Sequence, residues 1–184
     1  MRLFLAITLP GPWKRALADA AGLLRDNSRR GTFTRRENFH LTLAFLGELP
    51  DPAPVCAAMA QVSGEPFSLR LGAPGRFPGK DGDIWWAGLE PSPELDALHS
   101  TLCTSLEGMG LPGGETGRPF QPHLTLGRRV LLREDFDPRR LEETLPSLEL
   151  TVASFALMRS SRPAGILTYT PLCRRLLNGD LSAP

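Results

Sequence analysis

His40-Leu41-Thr42-Leu43 returns letter for letter as His123-Leu124-Thr125-Leu126. The chain has three histidines, and two of them open this repeat. Each copy starts an apolar run with strand character, His40 to Leu46 in the first half and His123 to Val130 in the second. Alternation along a strand sends His40 and Thr42 to one face and Leu41, Leu43 and Phe45 to the other. His123 and Thr125 oppose Leu124 and Leu126 in the same way. Ala44 and Gly127, two residues past each threonine, are then expected on the polar face, where their small size leaves room for a ligand. Set side by side about a pseudo-twofold axis, the two strands would bring two His/Thr pairs together across one cleft.

Outward from the repeat, strands and helices alternate. Arg2 to Leu9 reads as a buried strand. Pro10 and Pro12 open a helix to about Asp26, with Trp13, Leu17, Ala20 and Leu24 as its apolar stripe. Gly47, Pro50 and Pro52 stop the first motif strand, and a short helix follows near Val55 to Val62. Phe67 to Leu71 and Asp83 to Leu89 read as strands flanking a turn-rich stretch with Gly72, Pro74, Gly75, Pro78, Gly79 and Gly82. Ser92 then Pro93 is a helix start, continued by Leu95, Leu98, Leu102 and Leu106 and ended by Gly108 and Gly110. A loop of Gly113, Gly114, Gly117 and Pro119 leads to the second motif. A short helix over Pro138 to Thr144 and strands near Leu148 to Met158 and Ile166 to Thr170 complete the chain, the last stopped by Pro171. This is the pattern of an α+β protein with sheets covered by helices on one side.

At 184 residues the chain fits one domain or two small packed lobes. Its net charge is +1, so any nucleic-acid contact must use a local patch. Only Lys14 and Lys80 are lysines; the 19 arginines carry a planar fork suited to phosphate, but codon bias is the better account of the excess, which does not decide function. Cys56, Cys103 and Cys173 are odd in number and far apart, which predicts reduced thiols and a cytoplasmic location. No apolar run is long enough to span a membrane, and no export signal is read at the start. The Gly-rich segment before His123 precedes a strand and lacks G-K-[ST], so it is not a phosphate loop. No H-x-H, H-E-x-x-H or paired-cysteine spacing points to a metal, and no G-x-S-x-G points to a covalent serine.

Paired imidazoles suit phosphoryl transfer, because near pH ~6.5 one ring can accept a proton while the other donates one. The hydroxyls of Thr42 and Thr125 can donate to non-bridging phosphate oxygens, and Arg128 can supply positive charge there. Since the copies are identical, spacing does not say which histidine is the acid.

At these residues the chain resembles the two-histidine (2H) phosphoesterases, and among them the RNA 2′,3′-cyclic phosphodiesterases once described as 2′-5′ RNA ligases. Arg2 to Ile7, Glu37 to Glu48, Pro122 to Arg128, Met158-Arg159-Ser160 and Gly165 to Tyr169 carry the likeness. The resemblance implies one two-lobed domain over residues 1–184. Its lobes would be pseudo-symmetric and mainly antiparallel, with helices outside, a central cleft and one motif from each half. It implies no metal or other cofactor, His40 as proton donor to the leaving 3′ oxygen, and His123 as proton acceptor from water. The expected partner is RNA with a 2′,3′-cyclic phosphate end, handled by a monomer, with 2′-5′ ligation as the reverse reaction. Two alternatives stay open at this point. One keeps the site but acts on 2′-5′ oligonucleotides or a nucleotide-derived cyclic phosphate; the other is an RNA-binding module whose histidines merely pack.

Other residues draw weaker expectations. His99 belongs at the edge of the core. Of Trp85 and Trp86, adjacent in a strand and so facing opposite ways, one should be core, while the other could stack on a base at the cleft rim. Arg35 and Arg36, ahead of the first motif, could guide RNA, as could Arg76 and Lys80 in the turn-rich loop, but all four read first as solvated loop residues.

Overall fold

The computed structural model describes residues 1–113, 119–179 and, for the backbone, 181–182. The chain runs β1 (Arg2–Thr8), α1 (Gly11–Asp26), β2 (Ser28–Phe33), β3 (His40–Glu48), α2 (Ala53–Ala60), β4 (Phe67–Phe77) and β5 (Asp83–Leu89). It continues with α3 (Pro93–Gly108), β6 (His123–Leu132), α4 (Arg139–Thr144), β7 (Glu149–Val152), β8 (Ser154–Ser161), β9 (Thr168–Leu176) and β10 (Leu181–Ser182). The strands form two five-stranded sheets, ordered β10-β9-β8-β1-β3 and β2-β6-β5-β4-β7. Every strand pair is antiparallel. The fold is the expected α+β arrangement of two antiparallel sheets, and each sheet carries one copy of the motif.

The two motif strands have equivalent settings. Each pairs with the strand that precedes a 16-residue helix, β1 before α1 and β5 before α3. Pro12 starts α1, and Trp13, Leu17, Ala20 and Leu24 are its buried stripe, as the spacing predicts. In α3 the Ser92 side chain accepts the Leu95 amide at 3.2 Å, a cap that satisfies a donor the helix leaves open. The helices pack across the molecule, α1 against β6 and α3 against β3. Leu41 and Leu124, each 1% exposed or less, hold the motif strands to one continuous core. Truncating either to alanine would cost about 2–5 kcal/mol.

Strict alternation fails at the same place in both motifs. On β3, Thr42 lies opposite Ala6 and Ala44 opposite Leu5, so Leu43 is an extra residue. On β6, Thr125 lies opposite Trp86 and Gly127 opposite Trp85, so Leu126 is extra. A bulge keeps two successive side chains on one face and resets the alternation after them. Leu43 and Ala44 are therefore both buried, as are Leu126 and Gly127. This corrects the expected polar-face placement of Ala44 and Gly127. It also reverses Phe45, which is 46% exposed and meets Phe4 with ring centroids 6.3 Å apart. Arg128, the counterpart of Phe45, is thrown onto the His123 face by the same irregularity.

Several expected breaks are crossed by strands. Gly47 takes φ 72° at a second irregularity of β3, so the strand runs on to Glu48 instead of stopping. β4 continues through Pro74 and Gly75, because its far edge is unpaired beyond Leu71 among the described residues and a missing amide there costs nothing. Gly75 is needed in that strand, since a Cβ would fall 2.3 Å from the Trp86 ring. β9 likewise carries Pro171 at a register shift opposite Met158. The single strand expected from Leu148 to Met158 is two, β7 and β8, which serve different sheets. β2 was not foreseen, because its exposed Ser-Arg-Arg-Gly stretch lacks an apolar pattern. The expected loop at Gly114 and Gly117 lies outside the described residues.

The cysteines correct another expectation. Cys56 on α2 and Cys173 on β9, 117 residues apart, form a disulfide, while Cys103 is a free thiol. Sequence distance hid the pair, because only the tertiary fold brings α2 against β9. The cysteine argument for a reducing compartment is thereby removed. Among the described residues no helix is long and apolar enough to cross a membrane.

Candidate active site

Both histidines open onto one cavity of about 370 Å³. His40 and Thr42 enter it from β3; His123, Thr125 and Arg128 enter it from β6. All five predicted site residues thus share one space. Its remaining walls come from Thr32 to Arg35, from Asn38 and Phe39, and from the segment holding Arg162, Ile166 and Tyr169.

The two rings are anchored alike. His40 Nδ1 lies 2.7 Å from the Asn38 carbonyl oxygen and His123 Nδ1 lies 2.9 Å from that of Gln121. A carbonyl only accepts, so Nδ1 must carry the proton and the neutral ring keeps its lone pair on Nε2. Each ring also has aromatic neighbours. Phe4 and Tyr169 flank His40 at centroid distances of 4.8 and 5.0 Å. Phe77 and Trp86 flank His123 at 5.1 and 6.3 Å. Trp85 is the core member of the tryptophan pair, and Trp86 supports His123.

Beneath His40 lies a small apolar cluster of Phe4, Ala6, Ala156 and Met158, with Tyr169 packed on it. Removal from water disfavours the charged ring, and the nearby positive charges of Arg128 and Lys14 add to that. The hydrogen bond to the Asn38 carbonyl opposes both, yet the pKa falls from 6.5 to about 4. Without a bound anion His40 is therefore neutral at pH 7. An anion within ~4–6 Å should return 1–3 units. Titration followed by imidazole NMR is expected to place His40 near pH 4 without ligand and to move it upward on addition of inorganic phosphate. A midpoint near 6.5 in phosphate-free buffer would contradict this picture.

Arg128 reaches the same pole, with Nη2 at 3.4 Å from Thr125 Oγ1. Among the described residues, no group of three His, Cys, Asp or Glu side chains is arranged to hold a metal ion.

Sequence reasoning passed over four wall residues. Asn38 is 6% exposed; its amide donates to the Leu167 carbonyl at 3.0 Å while its own carbonyl orients His40. Asn38→Ala should remove about 1–3 kcal/mol of stability and lower turnover about tenfold through misplacement of the ring. Thermal melting alongside steady-state kinetics checks both, and full turnover in the destabilised variant would make Asn38 a structural tie only. Arg35, expected as a solvated residue, lines the cavity, as do Arg162 and Tyr169. Asn38, inside Glu37 to Glu48, and Tyr169, inside Gly165 to Tyr169, drew attention in the sequence only through the resemblance. His99 stays outside, stacked on Phe120 at 3.8 Å with Cys103 Sγ 3.5 Å from Nε2. Arg76 is paired with Asp83 on the surface.

Two antiparallel sheets that each lend an H-x-T strand to one cavity define the class as a two-histidine phosphoesterase. Residues 10–164 match the family model of the 2′-5′ RNA ligase superfamily, and the chain belongs to that superfamily. The RNA 2′,3′-cyclic phosphodiesterase of Thermus thermophilus is 34% identical over 192 residues, covering 98% of this chain and 92% of that protein. The Geobacillus stearothermophilus protein of the same name is 32% identical over 86% of this chain, which spans only 52% of that longer protein. The crystal structure of Escherichia coli LigT complexed with 3′-AMP is similar at a TM-score of 0.77 and 27% identity, over 97% of this chain and 98% of that one.

Proposed function

We propose that this protein is an RNA 2′,3′-cyclic phosphodiesterase that opens the ring to a 2′-phosphomonoester by proton transfer between two histidines. The observation that carries the reading is the shared cavity, where His40 and His123 stand with equivalent Nδ1 anchors beside Thr42, Thr125 and Arg128. The names borne by the Thermus and Geobacillus relatives support the substrate class.

In this reading the threonine hydroxyls and the Arg128 guanidinium hold the non-bridging oxygens and stabilise the charge that grows on them. His123 Nε2 accepts a proton from water as its oxygen bonds to phosphorus. The bond from phosphorus to the 3′ oxygen breaks, and His40 Nε2–H gives that oxygen its proton. His40 is neutral until an anion binds, so the substrate's negative charge is what loads it with the proton it donates. A 5′-hydroxyl in place of water would form a 2′-5′ link by the same steps, but water at bulk concentration favours hydrolysis.

The test is turnover of an oligoribonucleotide ending in a 2′,3′-cyclic phosphate, in the presence of EDTA, followed by phosphorus NMR. Conversion of the cyclic signal to a 2′-monoester is expected. A folded preparation that leaves the cyclic phosphate intact, or releases a 3′-monoester, would overturn the proposal.

A further inference from the structure

The cavity holds more positive charge than the reacting group needs. Arg35, Arg128 and Arg162 line it, and among the described residues no aspartate or glutamate does. A cyclic phosphate diester carries one negative charge, and Arg128, beside Thr125 and close to His40, answers it. Arg35 is partly offset by Glu37 at 3.8 Å, with both side chains more than half exposed. The Arg162 side chain has no ion-pair or hydrogen-bond partner among the described residues, so its charge is surplus to the fold.

The backbone that presents Arg162 is braced. The turn after β8 bonds Gly165 N to the Arg162 carbonyl at 3.1 Å and Ile166 N to that of Pro163 at 3.0 Å. Asn38 then pins the Leu167 carbonyl to the His40 side of the cavity. Within this turn Ala164 holds φ 50°, a left-handed conformation that a Cβ disfavours. The only other non-glycine residue at positive φ among those described is Arg129, next to Arg128. Both backbone irregularities therefore adjoin a cavity arginine, as expected where surroundings hold strain for function. Beside Arg162, Ile166 is 48% exposed and lines the same wall as Tyr169, an apolar surface suited to a ribose or base.

We infer that Arg162 binds the phosphate on the 5′ side of the terminal nucleoside, so the site selects oligonucleotide ends over nucleoside 2′,3′-cyclic monophosphates. This rests on the phosphodiesterase reading and deepens it. Guanidinium suits the task, because its fork meets two phosphate oxygens at once.

The test compares adenosine 2′,3′-cyclic phosphate with the dinucleotide ApA ending in a cyclic phosphate, which adds one phosphate. Wild-type protein is expected to favour the dinucleotide in kcat/KM by tenfold or more. Arg162→Gln should remove about tenfold of the dinucleotide's kcat/KM, mostly through KM, and leave the mononucleotide within twofold. Its dinucleotide KM should also lose about one unit of salt slope, and Arg162→Lys should recover part of the loss. Arg162 is exposed, so neither variant should disturb folding. Equal losses on both substrates, no loss on either, or a wild type indifferent to the second phosphate would overturn the inference while leaving the phosphodiesterase reading intact. A wild type inert toward both substrates would overturn that reading as well.

Discussion

Alanine at His40 or at His123 is expected to cut turnover of a cyclic-phosphate RNA end by roughly 10²–10⁴ each, the span of a positioned proton-transfer group. The two losses should not multiply in the double variant. Once one proton transfer is gone the other has little left to assist, and residual rate then comes from Thr42, Thr125 and Arg128. The variants differ in their structural side effects. His40 packs against Phe4 and Tyr169 over an apolar cluster, so His40→Gln is the better control there because it keeps most of the volume. His123 leans on Phe77 and Trp86 and calls for the same control. Circular dichroism should show all four variants folded. Activity within about threefold of wild type in any of them would remove that histidine from the mechanism.

Arg128→Met should lower kcat by roughly 10²–10³, comparable to the loss of one fixed donor to a developing oxyanion. Its guanidinium is the charged group that reaches the threonine hydroxyl, at 3.4 Å, beside the proposed reacting phosphate. The side chain is exposed and makes no ion pair among the described residues, so the melting temperature should barely move. Losing Arg128 also removes one of the charges that hold the His40 pKa down. The same variant should therefore raise the His40 midpoint in ligand-free protein. A slow enzyme with an unmoved His40 would mean that Arg128 works at a distance from that ring; an enzyme slowed less than threefold would exclude it from the reacting phosphate.

What could be read in advance divides along local and nonlocal lines. The repeated motif, the α1 stripe and the Ser92 cap involve residues within a few positions of one another, and each was legible. The twin bulges were not, because the letters after Thr42 and Thr125 continue an alternating pattern and only the opposite strand reveals the extra residue. Pro74 and Pro171 looked like stops because a sequence does not say which strand edge is left unpaired. Arg162, Asn38 and the Cys56–Cys173 pair depend on contacts between distant segments, with no local signature. The five site residues predicted from the sequence shared a motif or its flank. The arginine facing them from the opposite wall shared nothing with it.

The paired bulges have one more consequence. They put Phe45 and Arg128 in corresponding slots, so a scaffold that is nearly symmetric ends in unlike tips, greasy on one side and cationic on the other. Only the Arg128 tip lines the cavity; Phe45 lies outside its walls and faces Phe4 instead. The repeat therefore supplies two similar tools, and the difference at this single position sets a fixed cation at one of them alone.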